Sequence, residues 1–200
     1  MVALFITAKV GGNAMTWHLR LGYVVLALLL FRVVWGVVGG RWSRFASFFY
    51  GPGRVLRYLR GQGEAQEHVG HNPLGALSVF ALLGALLAQV LTGLMADDEI
   101  AFSGPLTRFV SGDTVAWATS LHTDVGQWLL VALVALHLAA IAFYTHIKRH
   151  SLVRPMVLGD KQLPASTPAS RDDARTRLLA AVVLAAAAAA AWWVAQLGVF

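Results

Sequence analysis

Long apolar runs, broken by short polar stretches, divide this chain. Four runs reach the roughly 20 residues that a helix needs to cross a hydrocarbon core. They cover about residues 17–39, 74–95, 125–145 and 178–200. None alternates polar and apolar residues in the manner of an outer-membrane strand. The pattern therefore predicts an all-α membrane protein, a transmembrane helical bundle. The fourth run differs in kind. Ala185 to Ala191 dominate it, with Trp192 and Trp193 beyond. Alanine forms helix readily but is only weakly hydrophobic, so a packing or anchoring helix without chemistry is expected there.

The connections carry the charge. Residues 41–70 hold Arg41, Arg44, Arg54, Arg57 and Arg60, and Gly51, Pro52 and Gly53 break this segment. Arg54 to Arg60 is expected to form a short interfacial helix. Residues 147–177 are basic again, with Lys148, Arg149, Arg154, Lys161, Arg171, Arg175 and Arg177. Pro164, Ser166, Thr167 and Pro168 mark residues 163–177 as a linker before the last span. Between spans two and three, Arg108 stands beside Asp97, Asp98, Glu99 and Asp113. The positive-inside rule places the two basic segments in the cytoplasm and the acidic loop outside. Span one then runs from outside to inside. Residues Met1 to Ala8 are apolar but too short to span, and they are not expected to act as a signal peptide.

Composition agrees with this picture. Of 200 residues, 58% are hydrophobic and 13% charged, against about a quarter charged in ordinary soluble domains. The net charge of +6 resides in loops beside the spans, so nucleic-acid binding is not expected. The chain has 0 cysteines. Disulfides, thiolate metal sites, iron–sulfur ligation and covalent haem attachment are thereby excluded. No nucleophile–base pair, phosphate loop or carboxylate dyad is visible, so no independent substrate chemistry is expected.

Three of the 7 histidines stand out by depth. His18 opens span one and His122 opens span three, both at the outer membrane face. His137 lies fifteen positions beyond His122, roughly 22 Å deeper at 1.5 Å per residue. Fifteen steps of about 100° return to within about 60° of the start, so both histidines of span three face one side. Such a helix presents two imidazoles, one near each membrane face. One metal ion cannot span that gap, whereas two stacked cofactors can. Haem iron accepts an axial imidazole on each side of its ring, and His18 with His122 offers that arrangement. Gly22 and Gly126 each follow a histidine by one turn, which leaves room for a flat macrocycle. Arg32, on the His18 face and at the depth of His137, could pair with a haem propionate or a carboxylate, or could snorkel to the inner surface. His71, before Asn72 and Pro73, suits either helix capping or a propionate or quinone contact. Plainer readings stand beside these. A histidine at a helix end is often interfacial, and His137 could hydrogen-bond a neighbouring helix. His68, His146 and His150 read as surface groups, and Trp17, Trp35, Trp42 and Trp117 as interface anchors.

Several segments together resemble the bacterial cytochrome b561 and nickel-hydrogenase b-type cytochrome family. They are Trp17-His18-Leu19-Arg20-Leu21-Gly22-Tyr23, Phe31-Arg32 with Trp35-Gly36, Arg44-Phe45 with Gly51-Pro52, and Gly70-His71-Asn72-Pro73. His122 to His137 with Gly126 between, Leu152-Val153-Arg154 and Met156 continue the series. The resemblance covers about residues 15–162 and implies a haem-binding membrane domain at 17–162, after an N-terminal segment 1–16 and before the linker and the helix at 178–200. It implies a four-helix core holding haem b between histidines, with His18 and His122 as one ligand pair. The other haem would pair His137 with a histidine of a first core helix that has no counterpart before Trp17; Met1 to Ala8 would be a remnant of its outer end. One haem b is expected, or two where a partner for His137 is supplied. The implied role is electron transfer in the bacterial inner membrane. It would run between quinone or a cytoplasmic partner and an outside redox protein, such as a c-type cytochrome or a dehydrogenase or hydrogenase subunit. A haem-free anchor or assembly subunit and a histidine-lined proton pathway are the alternatives.

Overall fold

The computed structural model describes residues 1–63, 69–149, 152–159, 163 and 166–198. His68, His150, Lys161 and Pro164, assigned above to cytoplasmic segments, lie outside the described residues. Within those described, the chain is helical apart from loops and one isolated bridge between Asp97 and Ser103.

A short helix, α1 (Val2–Val10), stops at Gly11 and Gly12, whose positive φ of 66° and 51° favours glycine. The chain turns there into α2 (Ala14–Val38). The following segment folds into tight turns and then α3 (Pro52–Leu59), which has Pro52 in its first turn. The second span, α4 (Pro73–Met95), begins where the Asn72 side chain accepts a 2.7 Å hydrogen bond from the Gly75 N–H. Three pieces form one continuous 36-residue helix, Gly112–Ile147. These are α5 (Gly112–Ser120), a π-helical turn (Leu121–Gly126) and α6 (Gln127–Ala142), with a second π turn (Phe143–Ile147) at the inner end. A six-residue helix, α7 (Val153–Leu158), follows. The last span, α8 (Ala174–Gln196), is capped by Asp173, whose carboxylate accepts from the Thr176 N–H.

Helices α2, α4, the Gly112–Ile147 helix and α8 are each long and apolar enough to cross a membrane. Between 6% and 17% of their apolar windows is buried inside the protein. Side chains such as Leu28, Leu129, Leu136, Leu138 and Trp192 therefore face outward. Exposure on this scale fits lipid as the solvent rather than water.

The third helix begins well before the span read from hydropathy, which starts at residue 125. Ser111 caps it by accepting from the Thr114 N–H, and no proline interrupts the polar first turns. His122 therefore lies inside the helix rather than at its start. At about 1.5 Å per residue the 36 residues extend roughly 54 Å, beyond a hydrocarbon core of about 30 Å.

Two packing clusters hold the bundle. Leu26, Leu94 and Ala191 form a buried centre, joined by Tyr23, Val90, Leu106 and Val194. Ala187 and Ala191 of the polyalanine run are buried. Their small side chains let α8 lie close along α2. Towards the inner face, Phe48 is 1% exposed and packs with Phe45 and Phe80 at ring distances of 5.5–6.0 Å. Gly36 permits this, since a side chain there would meet the Phe45 ring.

The interfacial helix expected from Arg54 to Arg60 is present as α3. Its apolar face, Val55, Leu56 and Leu59, lines a groove of about 340 Å³ with Tyr50 and Leu77. The hydroxyls of Tyr58 and Tyr144 meet at 3.1 Å and tie α3 to the third span.

Candidate functional site

His18 of α2 and His122 of the π turn come together in the N-terminal parts of their helices. Their ring centroids are 6.0 Å apart and their planes cross at 88°. Each ring is held from behind by a main-chain carbonyl. His18 Nδ1 lies 2.9 Å from the Leu4 oxygen on α1, and His122 Nδ1 lies 2.9 Å from the Gln89 oxygen on α4. A carbonyl can only accept, so each Nδ1 carries the proton and each Nε2 keeps its lone pair. A ring nitrogen held in this way is oriented and made more basic as a metal ligand.

The separation fits one iron between the rings. Two metal–nitrogen bonds of about 2 Å, with the distance from each nitrogen to its ring centre, add to about 6 Å. The donor set points the same way. Among the described residues no group of three or more His, Asp or Glu side chains is placed to hold a metal ion. Two imidazoles are too few for a bare ion of the usual tetrahedral kind. They suffice for haem iron, whose remaining four ligands come from the porphyrin.

The glycines beside the pair differ. A Cβ at Gly22 would meet nothing within 4 Å, so the helix face below His18 is open. At Gly126 that space is filled by the side-chain oxygen of Gln89. A third glycine, Gly93 on α4, lies against the His122 ring; a Cβ there would sit 2.6 Å from Cε1.

The inner group is looser. His137 Nδ1 lies 2.9 Å from the Ser78 hydroxyl on α4. His71 precedes α4 and packs on Phe48, ring to ring at 4.6 Å. The Tyr50 hydroxyl donates to its main-chain carbonyl at 3.0 Å. His71 Nδ1 is buried without a hydrogen-bond partner. Burial, then the Arg32 guanidinium, then His137 hold the His71 imidazole below its ordinary value, which keeps it neutral at pH 7. Asn72 rather than His71 supplies the cap of α4. Arg32 donates to the Ser43 carbonyl at 3.2 Å and lies 4.6 Å over the Phe45 ring. His146 is exposed at the inner end of its helix.

Gln89, Gly93, Ser78 and the Leu4 carbonyl were not singled out from sequence. Gln89 had a signal: it is an amide in a span with no charged residue, and such groups join helices in membranes. The Leu4 carbonyl had none, since every residue carries one.

The family model for prokaryotic cytochrome b561 matches residues 1–159. The chain is 28% identical over 162 residues to a Bradyrhizobium diazoefficiens protein named "Probable Ni/Fe-hydrogenase B-type cytochrome subunit", with 72% of this chain and 65% of the relative covered. A protein of the same name from Azotobacter chroococcum mcd 1 is 29% identical over 160 residues, covering 71% and 65%. One from Rhodobacter capsulatus is 27% identical over 162 residues, covering 72% and 61%. The chain thus spans 61–65% of the length of these three relatives. No solved structure matches. With a family match over most of its length, this chain belongs to the prokaryotic cytochrome b561 family, whose b-type cytochromes carry haem b.

Proposed function

We propose that the protein is a membrane b-type cytochrome subunit that passes electrons through haem b held by His18 and His122. One observation carries the reading. Two imidazoles from separate spans stand 6.0 Å apart, each with Nδ1 tied to a main-chain carbonyl. Haem b bound there supplies a one-electron iron couple. The residues do the rest. His18 and His122 would hold the iron of that group between them. The open face at Gly22 would leave room for it.

The inner group supports a second redox position. In this reading His137 is the deeper ligand, oriented by Ser78, and Arg32 and His71 meet a propionate or a quinone headgroup. Electrons would pass between a quinone or cytoplasmic partner on the inner side and a redox protein outside. The relatives' names favour a hydrogenase subunit as that protein; a dehydrogenase subunit or a c-type cytochrome is the other choice.

The purified protein should show a reduced-minus-oxidised b-type spectrum and at least one haem by pyridine haemochrome assay. A folded but colourless preparation after expression with ample haem would overturn the reading in favour of a haem-free anchor.

A further inference from the structure

The fold invests more in His122 than ligation alone requires. Gln89 grips this residue at two points. Its main-chain carbonyl accepts from the His122 ring at 2.9 Å, and its side-chain amide donates to the His122 carbonyl at 2.9 Å. Thr92 also donates to the Gln89 carbonyl, at 3.1 Å. The far end of the Gln89 amide, Oε1, is buried without a partner and lies in the space that a Gly126 side chain would occupy. A buried unpaired oxygen costs free energy, so the placement is held by what the other half of the amide does.

That half acts on an irregular stretch of backbone. Residues Leu121–Gly126 form a π turn, which carries one more residue than regular helix and tends to mark functional sites. The extra residue changes which way His122 points. A donor on the His122 carbonyl fixes the turn from outside the helix. The three features form one lock: Gln89 from α4, the π turn it holds, and Gly126, whose missing side chain lets the amide in.

We infer that Gln89 is the positioning residue that sets the orientation of the His122 imidazole, and that Gly126 serves to admit Gln89 rather than the cofactor. This rests on the reading that His18 and His122 hold haem b. The measurable quantity is the angle between the two imidazole planes, 88° in this structure. Axial imidazoles near perpendicular give ferric low-spin haem a highly anisotropic electron paramagnetic resonance signal; near-parallel planes give a rhombic one.

Wild type, Gln89→Ala, Gly126→Ala and the double variant would be purified and compared for haem content and resonance signal. Wild type should show the anisotropic signal. Gln89→Ala frees the turn, so the signal should move towards the rhombic type and haem retention should fall by about 10–100-fold. Gly126→Ala should do the same by expelling the amide. The double variant should resemble Gln89→Ala alone, because the methyl then fills the emptied space. An additive further loss in the double variant would show that Gly126 makes room for the cofactor and would overturn the second half of the inference. Unchanged signal and retention in Gln89→Ala would overturn the first half. Wild type without haem would instead overturn the function reading. Should Gln89→Ala fail to fold, Gln89→Met keeps the length of the side chain and removes the donor, and the same signal change decides.

Discussion

The outer and inner histidine groups are built to different standards. At the outer face both rings have their Nδ1 fixed by main-chain carbonyls of neighbouring helices. At the inner face His137 meets a rotatable serine hydroxyl, and the His71 Nδ1 has no hydrogen-bond partner. A carbonyl fixes the tautomer, whereas a hydroxyl can donate or accept and so tolerates either. The outer pair is thus organised in advance for one ligand geometry. The inner group keeps more freedom in its hydrogen bonding.

The sharpest break of this contrast is His122→Ala. It should abolish the outer haem band completely while leaving any absorbance that depends on His137; unchanged spectra would sink the ligand assignment. Next comes Gly93→Ala. The added methyl would press on the His122 ring, which lies 2.6 Å from that position, and haem affinity should drop by about 10–100-fold. Gly84→Ala is the control on the same helix, since its Cβ would meet nothing within 4 Å. It should leave the spectrum alone and gain about 0.5–1 kcal/mol from helix propensity. Ser78→Ala should act on the inner group only, by about 1 kcal/mol for one hydrogen bond. A redox titration that resolves two components would show one moving and the other still.

The smallest effect is a pH dependence at His71. Its folded pKa lies below the ordinary 6.5, so between these values the unfolded chain binds the proton more readily than the folded one. Stability is therefore insensitive to this group above pH 6.5 and declines as pH falls through that value. His71→Gln should flatten the acid side of a pH–stability profile. An identical profile would remove His71 from the account.

Much of this was legible from the order of residues. The spans follow from hydropathy, and the level shared by His18 and His122 follows from their place near the N-terminal ends of spans one and three, which run in the same direction. Other features have no such signature. Helix boundaries depend on caps: Ser111 starts the third helix before its apolar run, where hydropathy is silent. The π turn at His122 shifts register by one residue, which a period of 3.6 cannot reveal. The carbonyls of Leu4 and Gln89 are acceptors shared by every residue, so only coordinates show which ones meet an imidazole. Gly22 and Gly126 look alike in sequence, yet one faces open space and the other faces Gln89.

His122 and His137 ride on a single unbroken rod, Gly112–Ile147. The rod acts as a ruler. Sliding or tilting of α2 or α4 can alter how each imidazole is gripped, but it cannot lengthen the covalent rise between the two. Were both positions to carry haem, as proposed, tunnelling would fall off steeply with distance, and the rod would hold that distance factor constant. Substitutions on the flanking spans would then retune driving force while the gap to be crossed stays constant.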